Sequence, residues 1–175
     1  MGKIEIRRNT GSFVMNPNGS AFASQLKATH PVDRAFLDYL VDVRAAVEDK
    51  VVELVGKRAD ADLSAVRAVL ERAEAERGES AEQGSLDLRF EAALAREAGN
   101  PLLAEMHRSV HHLWVEAWSE CRITPGDWRR FHAEHLAILD ALERGDGEVA
   151  RRLTTEHVDR TVENAAPMKK GTRGR

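Results

Sequence analysis

From Pro31 almost to Pro167 the apolar residues recur every three or four positions, a rhythm that is buried by packing helix on helix. Six helices follow from it. The first runs from about Pro31 to Lys57 with Phe36, Leu40, Val43 and Val47 on one stripe, and the second from about Asp62 to Arg77 with Leu63, Val66, Val69 and Leu70. After a polar stretch from Gly78 to Gly84, Ser85 offers an N-cap for a third helix that ends near Gly99. Pro101 opens a fourth that continues to about Glu120, and Pro125-Gly126 breaks the chain. Asp127 caps a fifth helix and Asp146 a sixth, which ends before Pro167. Aromatic residues make up only 5% of the chain, while Ala, Glu, Arg and Leu dominate, which favours helix over sheet. The expected fold class is all-α: a six-helix antiparallel bundle.

Residues 1–16 depart from this rhythm. Ile4 and Ile6 alternate with charged residues, Asn9-Thr10-Gly11 supplies turn chemistry, and Ser12 to Met15 can return as a second strand, so a short β-hairpin is expected ahead of the bundle. Residues 17–30, beginning Pro17-Asn18-Gly19-Ser20, read as a linker, 31–165 as the helical domain and 166–175, with Lys169, Lys170, Arg173 and Arg175, as a flexible solvated tail. At 175 residues the length fits one domain. The net charge of -3 gives no overall footprint for nucleic acid, so any DNA contact has to come from a local patch or from elsewhere. The chain shows neither a signal segment nor an apolar run of about 18 residues, and the expectation is a cytoplasmic protein without a membrane partner. A single cysteine, Cys121, excludes an internal disulfide and a cysteine-based zinc motif.

Histidines on apolar stripes carry the chemistry. Phe131, His135, Ile138 and Leu142 share one helical face, as do Val149, Leu153 and His157 on the next helix. The chain reverses at Gly145-Asp146-Gly147, and at about 1.5 Å per residue His135 lies roughly 15 Å before the turn and His157 roughly 15 to 18 Å after it. An antiparallel pair brings them together. Asp87 and Glu91 sit one turn apart upstream, where like charges repel unless a cation lies between them. Two carboxylates and two imidazoles suit a divalent metal, zinc first, with manganese, iron or nickel as alternatives. The plain alternative is that the carboxylates line a solvated face and the histidines bond to backbone in the core. His107 and His111 are a second i, i+4 pair, but the sequence offers no carboxylate partner for them, and a surface or dimer-contact role is expected. Trp114 and Trp118 are read as core or dimer contact, and as pocket wall second.

These residues together resemble a family. The stretch from Phe131 to Ala150 followed by His157 resembles the end of the FCD domain, the effector-sensing domain of GntR-type bacterial transcription regulators. Asp87-Leu88-Arg89-Phe90-Glu91, then Ala98-Gly99-Asn100-Pro101, resembles the family's Asp-x-x-Phe-His and Gly-Asn motifs, and Arg44 to Glu48 its first-helix Arg-x-x-x-Glu. The likeness spans roughly Asp33 to Val162. It implies metal ligands at Asp87, Glu91, His135 and His157, with Glu91 standing where the family usually has histidine. It also implies a homodimer and a small organic-acid effector held by Arg44 and Asn100, the plain alternatives being a surface ion pair of Arg44 with a neighbour such as Glu48 and a turn role for Asn100 beside Gly99. Lys3 to Val14 resembles the wing of the winged-helix domain that precedes the sensor, so operator DNA is expected to be reached only through a helix-turn-helix lying upstream, and specific binding by this polypeptide is not expected. Two rivals from other classes are a helical-bundle metalloenzyme and a metal-free structural dimerisation bundle. Against the enzyme, the duplicated Glu-x-x-His motif of di-metal bundles is missing, and no general base or nucleophile stands beside the ligands.

Overall fold

Caps and two left-handed glycines mark out the helices. The computed structural model describes residues 4–7, 11–14, 24–80, 88–121, 123–124, 127–163 and 166–167. Seven helices lie among the described residues: α1 (24–29), α2 (Arg34–Lys57), α3 (Leu63–Ser80), α4 (Arg89–Glu97), α5 (Pro101–Cys121), α6 (Trp128–Glu143) and α7 (Gly147–Glu163). Asp33 caps α2 by accepting from the Phe36 amide at 3.0 Å, and Asp127 caps α6 by accepting from the Arg129 amide at 2.9 Å. Between α6 and α7, Gly145 takes φ 77°. Its amide donates to Leu142 O and the Asp146 amide to Ala141 O, the paired bonds of a Schellman ending that turns the chain back on itself.

Two expectations shift here. Residues 24–29 are helical within the stretch read as linker, because Leu26 packs against the α2/α5 core and Lys27 bridges to Glu116 at 3.0 Å and Glu120 at 3.2 Å. The third expected helix starts at Arg89 and not at Ser85, and Leu88 at its N-cap makes no side-chain cap. Ser85 and Asp87 lie outside the described residues.

Short strands flank the helices. Ile4–Arg7 (β1) pairs antiparallel with Gly11–Val14 (β2), Ile4 opposite Val14. Ile123–Thr124 (β3) pairs with Ala166–Pro167 (β4), so the start of the stretch expected to be a flexible tail is tied to the α5–α6 connection.

α2 is the hub of the bundle, packing on α4, α5 and α7, while α3 contacts α4 and α6, and α6 pairs with α7. Its amino-terminal half joins Leu37 and Leu40 to Trp114 and Trp118 of α5. Its carboxy-terminal half joins Val51, Val52 and Val55 to α3, α4, α6 and α7. The two tryptophans are therefore core. Near the junction of these clusters the expected α2 stripe is wrong by one position: Val43 is 49% exposed, and Arg44 is buried at 1%. The real inner line is Leu37, Leu40, Arg44, Val47 and Val51, still at spacings of three and four. A charged residue takes a core place here because carboxylates are waiting for it.

Candidate metal centre

His135 and His157 meet as the turn geometry predicts. Their Nε2 atoms are 3.1 Å apart, and Oε1 of Glu91, carried in by α4, is 3.3 Å from the first and 3.6 Å from the second. All three side chains are buried. Donors arranged tetrahedrally around zinc at about 2.0 to 2.1 Å are separated by about 3.3 Å, so the three spacings already fit such an ion. Phe90, next to Glu91, stacks on the His135 ring at 4.6 Å, and Phe131 meets His157 edge-on at 5.6 Å, which holds both rings in place. His157 Nδ1 donates to Glu134 Oε2 at 2.7 Å, which orients the ring and leaves Nε2 facing inward. Metal-binding histidines commonly have this outer carboxylate.

Arg44 closes the site from α2. Its Nη2 donates to Glu91 Oε1 at 3.0 Å, and its guanidinium lies 4.9 Å from the centroid of the Trp114 ring. Nε and Nη1 of Arg44 and Oε2 of Glu91 are buried without a hydrogen-bond partner. Such atoms are costly unless something supplies their partners. They border a cavity lined by Arg44, Phe90, Glu91, Phe131, His135 and His157.

Charge states follow from the packing. Burial pushes the Glu91 carboxyl up, but His135, His157 and Arg44 outweigh it and hold the group well below the usual carboxylate range. Burial pulls His157 down, yet hydrogen bonds to Glu134 and Glu91 win and leave it above the ordinary imidazole value of 6.5. A cation has to displace that proton. Metal uptake is therefore expected to weaken as pH falls, and to begin weakening above pH 6.5. Competition with a chromophoric chelator reads this, and an affinity flat from about pH 8 down to about pH 6 would contradict the ligand assignment. For the metal-free domain the sign is opposite, since a raised imidazole contributes stability below its unfolded value that is lost as pH rises through the folded one.

A second buried cluster was not foreseen. His107 and His111 are 2% and 8% exposed, not at the surface, and their carboxylate partner is Glu48 of α2. His107 Nε2 lies 3.2 Å from Glu48 Oε2, and His111 Nε2 lies 2.6 Å from Glu48 Oε1. Burial pushes Glu48 up, but the two imidazoles pull it further down, while burial keeps His111 below its ordinary value despite Glu48. The sequence signal was the i, i+4 histidine pair; the missing information was which residue of α2 faces it.

Of the residues singled out from sequence, Glu91, His135, His157 and Arg44 come together. Asp87 lies outside the described residues. Asn100 does not reach the cluster: it is exposed, and its Oδ1 accepts from the amides of Leu102 and Leu103, each at 3.1 Å, to cap α5 beside Gly99 at φ 67°. Among the described residues no helix is long and apolar enough to cross a membrane.

Comparison with known proteins places this geometry. The FCD domain model matches residues 39–160. No curated protein matches the chain at a significant level. E. coli McbR/YncC superposes with a TM-score of 0.58 at 19% identity, covering 91% of this chain and 71% of that one. Streptococcus agalactiae GntR does so with a TM-score of 0.54 at 20% identity, covering 90% and 72%. At these identities the likeness speaks to the fold.

Proposed function

The chain belongs to the FCD-domain family of GntR-type regulators, a family of sensors and not of enzymes, and on that premise we propose that it senses a small organic acid through a divalent metal, zinc first. The observation that carries this is the convergence of His135 Nε2, His157 Nε2 and Glu91 Oε1 at 3.1 to 3.6 Å. Asp87, one turn before Glu91 in the sequence, is proposed as the fourth ligand.

A bound divalent cation supplies a Lewis-acidic anchor for one carboxylate oxygen. The protein does the rest. Glu91, His135 and His157 hold the ion, and Glu134 keeps His157 in the tautomer that can bind it. Arg44 is the effector's second contact: with Glu91 committed to the ion, its guanidinium, already carrying two unbonded nitrogens, is left to pair with the effector's carboxylate. The aromatic walls at Phe90 and Phe131 exclude water and strengthen that pairing. Because α2, α4, α6 and α7 each contribute a residue, effector binding biases how these helices sit, which is a coupling free energy to any attached DNA-binding head.

A homodimer is part of the proposal. Tyr39 and Val43, one turn apart on α2, and Leu102 and Met106, one turn apart on the neighbouring α5, are large apolar side chains left exposed. A second copy would cover them. A monomeric mass by light scattering at micromolar concentration would remove this element.

Thermal-shift measurements on the full chain test the sensing role. Sugar, hydroxy, amino and aromatic acids are added with and without zinc. The expected result is a rise in melting temperature for at least one acid that appears only with zinc and vanishes with its neutral amide. Equal shifts with and without zinc would refute metal dependence, and no shift from any acid would refute carboxylate sensing.

A further inference from the structure

We propose that Glu48, His107 and His111 form a second divalent-cation site, separate from the Glu91 centre and divided from it by Arg44. α5 turns His107 and His111 inward one turn apart, a spacing at which two imidazoles on one helix reach a common point. α2 brings Glu48 opposite, with its two oxygens 3.2 and 2.6 Å from the two Nε2 atoms. One donor atom from each residue lies within 4.8 Å of the others. Two imidazole nitrogens and a carboxylate are a donor set that zinc and the neighbouring transition metals take readily, with a coordination position left over.

Charge balance points the same way. Arg44 bonds to Glu91 at 3.0 Å but stands 3.6 Å from Glu48 Oε1, beyond hydrogen-bond reach. Two buried carboxylates thus share one guanidinium, and Glu48 has the more distant side of it together with the two imidazoles of His107 and His111. Two buried carboxylates matched by one guanidinium leave the charge only partly compensated, and a cation held by Glu48 removes the imbalance. The 2.6 Å contact between Glu48 and His111 is shorter than the roughly 3.3 Å separating donors around zinc, so the carboxylate has to withdraw slightly. This site is therefore the weaker of the two.

The proposal does not depend on the sensing role, and the test separates them. The 175-residue chain, stripped with chelator, is titrated with zinc by calorimetry, with metal content read independently by mass spectrometry. Wild type is expected to take up two equivalents per chain in two steps. His107→Ala with His111→Ala loses the weaker step and keeps the tighter. His135→Ala with His157→Ala does the reverse, and its cobalt adduct shows a ligand-field spectrum that adding Glu48→Gln abolishes. If the alanine pair at 107 and 111 fails to fold by circular dichroism, Glu48→Gln, which preserves shape, replaces it. Identical zinc uptake by wild type and the Glu48 or His107/His111 variants would overturn the second site, as would a folded His135/His157 variant that binds no zinc or cobalt. Loss of zinc only in the His107/His111 variant would uphold this site and overturn the Glu91 centre instead.

Discussion

Replacing Arg44 with methionine is expected to destabilise the domain by about 3–5 kcal/mol, the range for removing one partner of a buried ion pair. Methionine keeps the aliphatic stem, so the loss is of charge and hydrogen bonds more than of packing volume. In the native protein the guanidinium is 1% exposed, bonds to Glu91 at 3.0 Å, lies 3.6 Å from Glu48 and sits over Trp114. Without it two carboxylates are buried with no permanent positive charge between them. Urea unfolding followed by circular dichroism measures the change. Two further results follow from the same charge argument. Zinc, which takes up the charge of Glu91, is expected to restore part of the loss, and adding Glu91→Gln to the methionine variant is expected to cost less than the two single effects summed. A methionine variant within about 1 kcal/mol of wild type would show that Arg44 is not what balances this core.

Removing both imidazoles at His135 and His157 is expected to erase metal protection at the Glu91 centre. At free zinc near 100 times the dissociation constant, binding to the native state alone contributes about 2.7 kcal/mol. For a chain of this size that corresponds to roughly 5–10 °C in melting temperature. The variant is expected to lose that contribution, keeping only the smaller shift that the Glu48 site supplies, and to lose one equivalent of zinc per chain. Comparing metal-free forms of both proteins separates this from the cost of the cavity left by two shortened side chains. A variant that keeps wild-type zinc content and protection would end the assignment of these histidines as ligands.

Much of the site is readable locally. His135 and His157 lie at similar distances on either side of one tight turn, and a helical rise of fixed length then forces them level once the two helices pair. Glu91 is equally accessible, because Phe90 beside it marks the inward edge of a short helix. The second cluster is different in kind. Glu48 meets His107 and His111 from 59 and 63 positions away, and no local pattern states which turn of α2 faces which turn of α5. Asn100, picked by likeness of motif, serves its own helix end, since a side chain that can satisfy two free amides nearby has no need of a distant partner.

What the amino-acid sequence by itself determined was the six helices after Pro31, most of their ends and the reversal between α6 and α7, because these depend on backbone bonds and caps within a few residues; the short helix at 24–29, read as linker, was not among them. What only the tertiary structure decided was the rotation of each helix about its axis. Val43 and Arg44 differ by about 100° of that rotation, and hydrophobicity alone favours turning valine inward. The fold turns Arg44 inward instead, since Glu91 arrives from α4 with a negative charge that burial makes costly and that a guanidinium on the facing side of α2 meets at 3.0 Å.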